Sequence, residues 1–180
     1  MVATKDFDQF IRNTRSDSES QPSVNWNKRR NDWLQALEKL YELIENYLSK
    51  YISDQSISVE YLDAHINEER LGSYSAKQMK LVVGKNVVEL SPVGTLIFGA
   101  YGRVDVLGKS ARLRLILVEP AANEVRLGIR VMQPGEQISR PEPPNFASLS
   151  WKIASDPPNV RLYELTQEAL FDAIMTVAAA

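Results

Sequence analysis

Between Ser53 and Ala154 the apolar residues of this chain recur at every second position; on either side they recur at every third or fourth. A period of two is the repeat of a β-strand and a period near 3.6 that of an α-helix. A block of strands with no helix interleaved argues against the strand–helix–strand units from which parallel sheets are built. The order of the patterns therefore predicts an α+β fold. Its centre is an antiparallel meandering sheet of about seven to eight strands, with a long N-terminal helix and a C-terminal helix packed on one face.

The first helical pattern runs from about Asn27 to Tyr51. Trp33, Leu37, Leu40, Ile44, Leu48 and Tyr51 step by four, three, four, four and three, which is one face of a helix about 36 Å long. Leu34, Tyr41 and Tyr47 widen that stripe, and Glu38, Lys39, Glu42, Glu45 and Asn46 form the polar back. Trp26 and Trp33 read as core anchors at the helix start, because aromatics contribute most through buried area. At the other end of the chain Thr166 is an N-cap, with Glu168 near the positive end of the helix dipole. Leu170, Ile174 and Val177 follow at helical spacing, with Phe171 and Met175 alongside.

Within the strand block, "SISVEY" puts Ile57, Val59 and Tyr61 on one face, whereas "LDAHI" puts Leu62, Ala64 and Ile66 on the other. That phase slip predicts a bulge or a bend near Tyr61-Leu62. "QMKLVVGKNVVEL" reads as a hairpin turning around Gly84-Lys85-Asn86. "GTLIFGAYG", "RVDVLG", "ARLRLILVE" and "VRLGIRVM" follow as strands and "SLSWKIA" as the last. Turn residues separate them at Ser91-Pro92, Gly108-Lys109, Pro120 to Asn123 and Pro134-Gly135. Residues 133–147, with four prolines, read as a stiff surface connection. Residues 1–25 read as a flexible arm with a short helix presenting Phe7, Phe10 and Ile11, and residues 26–180 as a single α+β domain.

Composition narrows the chemistry. At 180 residues the chain can bury a core unaided, and a net charge of −2 provides no global field for nucleic acid or anionic lipid. The absence of cysteine excludes disulfides, thiolate catalysis, thiolate zinc sites and cysteine-ligated clusters. The N-terminus lacks a signal-peptide pattern, and the longest apolar stretches, such as "LILV", fall far below the ~20 residues a membrane span needs. The expectation is a soluble cytoplasmic protein, monomer or homodimer, with no membrane association.

One stretch invites a nucleotide reading. "GAYGRVDVLGKS" ends in Gly108-Lys109-Ser110, as a phosphate-binding loop does. Arg103 stands where such a loop requires its first glycine, and "SARLRLILVEP" downstream alternates as a strand rather than opening a helix. The segment is therefore a hairpin turn, in which Gly108 supplies backbone freedom and Lys109 and Ser110 form the exposed tip. His65, the single histidine, shares a strand face with Asp63 and Asn67, a set too poor for a zinc site. No serine stands in a Gly-x-Ser-x-Gly context. No catalytic residue, metal or cofactor is assigned, and an enzyme is the least supported reading.

Charge is distributed unevenly. Residues 96–135 hold six cations against three acids, and residues 136–180 hold three against six. If the alternating apolar residues face the core, Arg103, Arg112, Arg114, Arg126, Arg130 and Lys152 share the opposite face of the sheet, with Asp105 among them. Two functional expectations follow. The first is a non-enzymatic interaction module, an adaptor, chaperone-like or inhibitor protein, acting through its surface on a protein partner, with Phe7, Phe10 and Ile11 as contact residues. The alternative is a binder of an anionic ligand, whether nucleotide, nucleic acid backbone or acidic partner, through those five arginines and Lys152.

Overall fold

The computed structural model describes residues 25–95, 99–109, 111–124 and 145–179. Helix α1 (Trp26–Ser53) opens it, with the Asn25 side chain accepting from the Lys28 amide at 2.9 Å as N-cap. It buries Trp33, Ala36, Leu37, Leu40, Tyr41, Ile44 and Leu48, most of the stripe that the spacing predicts, with Leu34, Tyr47 and Tyr51 half-buried beside it. Seven strands follow in the described sheet: β1 (Ile57–Glu68), β2 (Gly72–Val83), β3 (Asn86–Gly94), β4 (Gly102–Leu107), β5 (Arg112–Val118), β6 (Ser150–Ala154) and β7 (Leu162–Glu164). They pair antiparallel in sequence order, the predicted meander. Helix α2 (Gln167–Ala178) closes the described chain, capped by the Thr166 side chain, which accepts from the Ala169 amide at 3.2 Å.

Both helices pack on one face of the sheet. A single apolar cluster joins Trp33, Leu40 and Ile44 of α1 and Leu170, Ile174 and Val177 of α2 to Leu81, Val88, Leu90, Val104, Val106 and Leu115 of the strands. Two glycines of the "GAYGRVDVLGKS" stretch make this approach sterically feasible. A Cβ at Gly102 would overlap the Trp33 ring, and one at Gly108 would overlap the Val177 carbonyl. Gly108 is not among the residues with positive φ, so close approach by α2, rather than the backbone freedom expected from sequence, explains it.

The hairpin β1–β2 departs from expectation in an informative way. Its register is unbroken from Ile57↔Val83 to Glu68↔Gly72, so the phase slip at Tyr61-Leu62 is made without a bulge between these strands. β2 changes phase opposite it: Tyr74 and Ala76 are buried on the even face, and Met79 and Leu81 on the odd. With both phases in one core, the ribbon itself must turn over, as strongly twisted two-stranded ribbons do. β3 pairs with β2 only as far as Leu90↔Met79, so the outer part of the hairpin leaves the sheet plane.

Three further corrections concern strand ends. The turn expected at Ser91-Pro92 lies inside β3, where Pro92 pairs with Val104 after β2 has parted; no ladder donor is required on that side. The irregularity falls instead between Pro92 and Gly94, and the described residues of "GTLIFGAYG" between Gly94 and Gly102 form no strand of their own. β7 follows "SLSWKIA", which was expected to be last. In α2, Met175 is 60% exposed, so the stripe there is narrower than the spacing suggests. "VRLGIRVM", the proline-bearing part of the 133–147 loop and the arm before Asn25 lie outside the described residues. No helix among the described residues is long and apolar enough to cross a membrane.

Candidate docking groove and cationic face

Where the hairpin turns over, α1 no longer covers its odd-numbered face. This leaves a groove of about 680 Å³ between the middle of the helix and the outer part of the hairpin. Its apolar walls are Leu34, Leu37 and Tyr41 from α1 and Tyr61 and Ala76 from the hairpin. Glu38 and Glu42 stand on the helix side, and Asp63, Ser75 and Lys77 on the strand side.

The groove is held in shape by its own polar groups. The Tyr41 hydroxyl donates to the Lys77 carbonyl at 2.7 Å, tying helix to strand where β2 has lost β3. The Tyr61 hydroxyl donates to Glu45 Oε1 at 2.7 Å, and the two tyrosine rings lie 5.8 Å apart. Burial pushes both phenols above their ordinary pKa, with the Glu45 contact adding to the effect at Tyr61, so they stay neutral donors. Lys77 Nζ bonds Asp63 at 2.7 Å and holds that carboxyl below its usual range. His65 is exposed on the same strand, opposite Ser75. Among the described residues no three of His, Asp and Glu are grouped to hold a metal ion.

A buried polar cluster fixes the far end of the hairpin. Glu68, 8% exposed, accepts from the Tyr74 hydroxyl and from the Thr95 amide (2.8 Å) and hydroxyl (3.1 Å). Gly94 leaves room for that carboxylate, since a Cβ there would meet it at 2.7 Å. Arg29 of α1 binds the Thr95 carbonyl at 3.0 Å; burial lowers its pKa, and the Glu68 charge opposes that shift. Burial, reinforced by the bond to Glu68, raises the pKa of Tyr74. Every polar group named here bonds another part of the protein, so the cluster clamps hairpin, β3 bulge and helix start together.

Among the described residues Arg103, Arg112, Arg114 and Lys152 share one face of the sheet, and Arg103, Arg114 and Lys152 are compensated within the protein. Arg103 makes two hydrogen bonds to Asp105, at 2.6 and 2.8 Å, and Asp105 is the register partner of Arg114. Arg114 bonds Asp156 at 2.8 Å. Lys152 is 1% exposed and commits its ammonium to the carbonyls of Pro120 (2.6 Å) and Ala122 (2.8 Å) and to Glu164 (2.7 Å). Beside it Ile116, Val118, Ala154 and Leu162 form a second apolar cluster on this face. Arg112 is exposed. Arg126, Arg130, Phe7, Phe10 and Ile11 lie outside the described residues.

Sequence reasoning placed Glu38 and Glu42 on the polar back of the helix and passed over Ser75 and Lys77. The one signal for the groove was the phase slip at Tyr61-Leu62, which marks where the ribbon turns. Comparison with protein-family models, curated proteins and solved structures found no match to this chain.

Proposed function

We propose that this chain is a non-enzymatic interaction module that receives a segment of a protein partner in the groove between α1 and the β1–β2 hairpin. The observation that carries this reading is the groove itself: an open, mainly apolar recess of about 680 Å³, within the size of sites that bind ligands. Exposed apolar surface rimmed by polar residues is the usual mark of an interaction site. Tyr61, 43% exposed at its mouth, is an aromatic of the kind that anchors interfaces. The Tyr41 and Tyr61 hydroxyls and the Asp63 carboxylate around it are already bound, to the Lys77 carbonyl, Glu45 and the Lys77 ammonium, an arrangement suited to a shaped surface rather than to attack on a substrate.

Panning a display library of random dodecapeptides on the full chain tests the reading. Enriched peptides should bind the protein and lose at least tenfold in affinity on Ser75→Trp, which fills the groove from an exposed position. Peptides that bind wild type and S75W equally, with melting temperatures unchanged, would place the docking surface elsewhere.

A further inference from the structure

The groove opens onto the most accessible edge of the sheet. Among the described strands the two edges are β1 and β7, and they differ sharply. β7 is three residues long and follows Pro157 and Pro158, two of the usual devices against unwanted strand pairing. β1 is twelve residues long, contains neither proline nor lysine, and pairs with β2 without a bulge. None of its residues from Ser58 to His65 is buried. Tyr61 and Leu62, 43% and 47% exposed, point to opposite faces at the middle of this edge. Among the described residues nothing pairs with its outer side.

The edge and the groove share Tyr61 and Asp63. A strand added beside β1 would lie about 4.8 Å away, and alternate side chains would stand next to the groove mouth. A helix laid in the groove would leave the backbone groups of β1 unpaired; an extended chain satisfies them. Charge indicates what that chain carries. Around the groove and edge, Glu38, Glu42, Glu60 and Asp63 face two lysines, and both are already bound: Lys80 to Glu60 at 2.9 Å and Lys77 to Asp63 at 2.7 Å. The balance, two cations against four acids, is −2, and Glu38 and Glu42 lie one turn apart on the helix. Opposite charge in the occupant complements it.

Resting on the groove reading, we propose that the partner segment binds in extended form as an added strand along β1, and that every second residue, the set facing the groove, is either apolar or basic. Its apolar side chains enter the groove beside Tyr61, and its lysines or arginines meet Glu38 and Glu42.

The dodecapeptides enriched on the full chain test this directly. Expected are sequences in which every second position is apolar or Lys/Arg, with both kinds present in that one set. N-methylation of the alternate peptide amides that face β1 should weaken binding at least tenfold, whereas methylation of the other set leaves it within twofold. Binding should slow amide hydrogen exchange in β1, and the double variant Glu38→Lys, Glu42→Lys should weaken it at least fivefold. Apolar residues at helical spacing, or indifference to both N-methylation sets, overturn strand addition; continued sensitivity to S75W then keeps the groove reading. Enrichment of acidic peptides overturns the charge assignment. Enrichment only on full-length protein carrying Phe7→Ala, Phe10→Ala and Ile11→Ala makes the chain's own arm the occupant and overturns a partner segment. Dimerisation that protects β1 amides without peptide and is lost in Leu62→Lys makes a second copy the occupant, with the same consequence. No enrichment on either form overturns both readings.

Discussion

Single residues in this protein are fixed by what approaches them. Gly102 and Gly108 lie under the Trp33 ring and the Val177 carbonyl, so Ala at either position forces a helix off the sheet. Each substitution should cost about 1–3 kcal/mol in urea unfolding, the usual range for overpacking. Lys109→Ala, on the exposed tip of the same turn, should stay within about 0.5 kcal/mol. Comparable losses from all three would revive a role for the lysine. The tyrosines give a second residue-scale test. Tyr41, Tyr61 and Tyr74 have folded-state pKa values raised above the ordinary 10.0, chiefly by burial. A raised folded pKa contributes stability that is full below pH ~10 and is lost as pH climbs above it. In an alkaline titration these three should ionise only as the helical circular dichroism signal collapses. Tyrosinate absorbance that reaches completion before unfolding would contradict the burial.

At the scale of elements, the hairpin β1–β2 decides the architecture. Its first half packs α1 with odd-numbered residues and its second half enters the same core with even-numbered ones. Alternation in the sequence shows the change of phase at Tyr61-Leu62 but does not say how it is accomplished. A bulge would have kept the ribbon in the sheet; an unbroken register makes the ribbon turn, and the turn opens the groove. The Glu68 cluster secures that geometry. Glu68→Ala strands the Tyr74 hydroxyl, the Thr95 amide and the Arg29 charge in a buried site, and should cost roughly 3 kcal/mol. Hydrogen exchange should show that loss concentrated in residues 62–78 and the start of α1. A uniform loss across the sheet would argue against a local clamp.

For the whole molecule, charge that is segregated along the chain is mixed in space. Arg114 reaches Asp156 of the acidic C-terminal part, whereas Arg103 takes Asp105 and Lys152 takes Glu164 within their own parts. With a net charge of −2 and Arg103, Arg114 and Lys152 already paired, Arg114→Glu should leave retention on a polyanion matrix unchanged at low salt. A steep drop in retention would restore the anion-binding alternative. The elements themselves were readable because periodicity is a local property: each stripe of α1 and α2 and most strands follow from which side chains must leave water. Pro92 and the end of β3 were misread because the permissive feature, the departure of β2 at Leu90, is not local. The groove residues were missed for the same reason.

The sequence by itself determined an α+β meander, the two helices and their buried faces, and that Arg103, Arg112, Arg114 and Lys152 share one side of the sheet. Hydrophobic period and turn chemistry act over a few neighbouring residues and need no knowledge of the rest. Tertiary structure alone decided that β1–β2 turns over beside α1, that Gly108 answers to Val177, and that Lys152 is buried against Pro120, Ala122 and Glu164. Each of these depends on contacts between residues far apart in the chain, and twist, close approach and charge pairing exist only once distant segments meet.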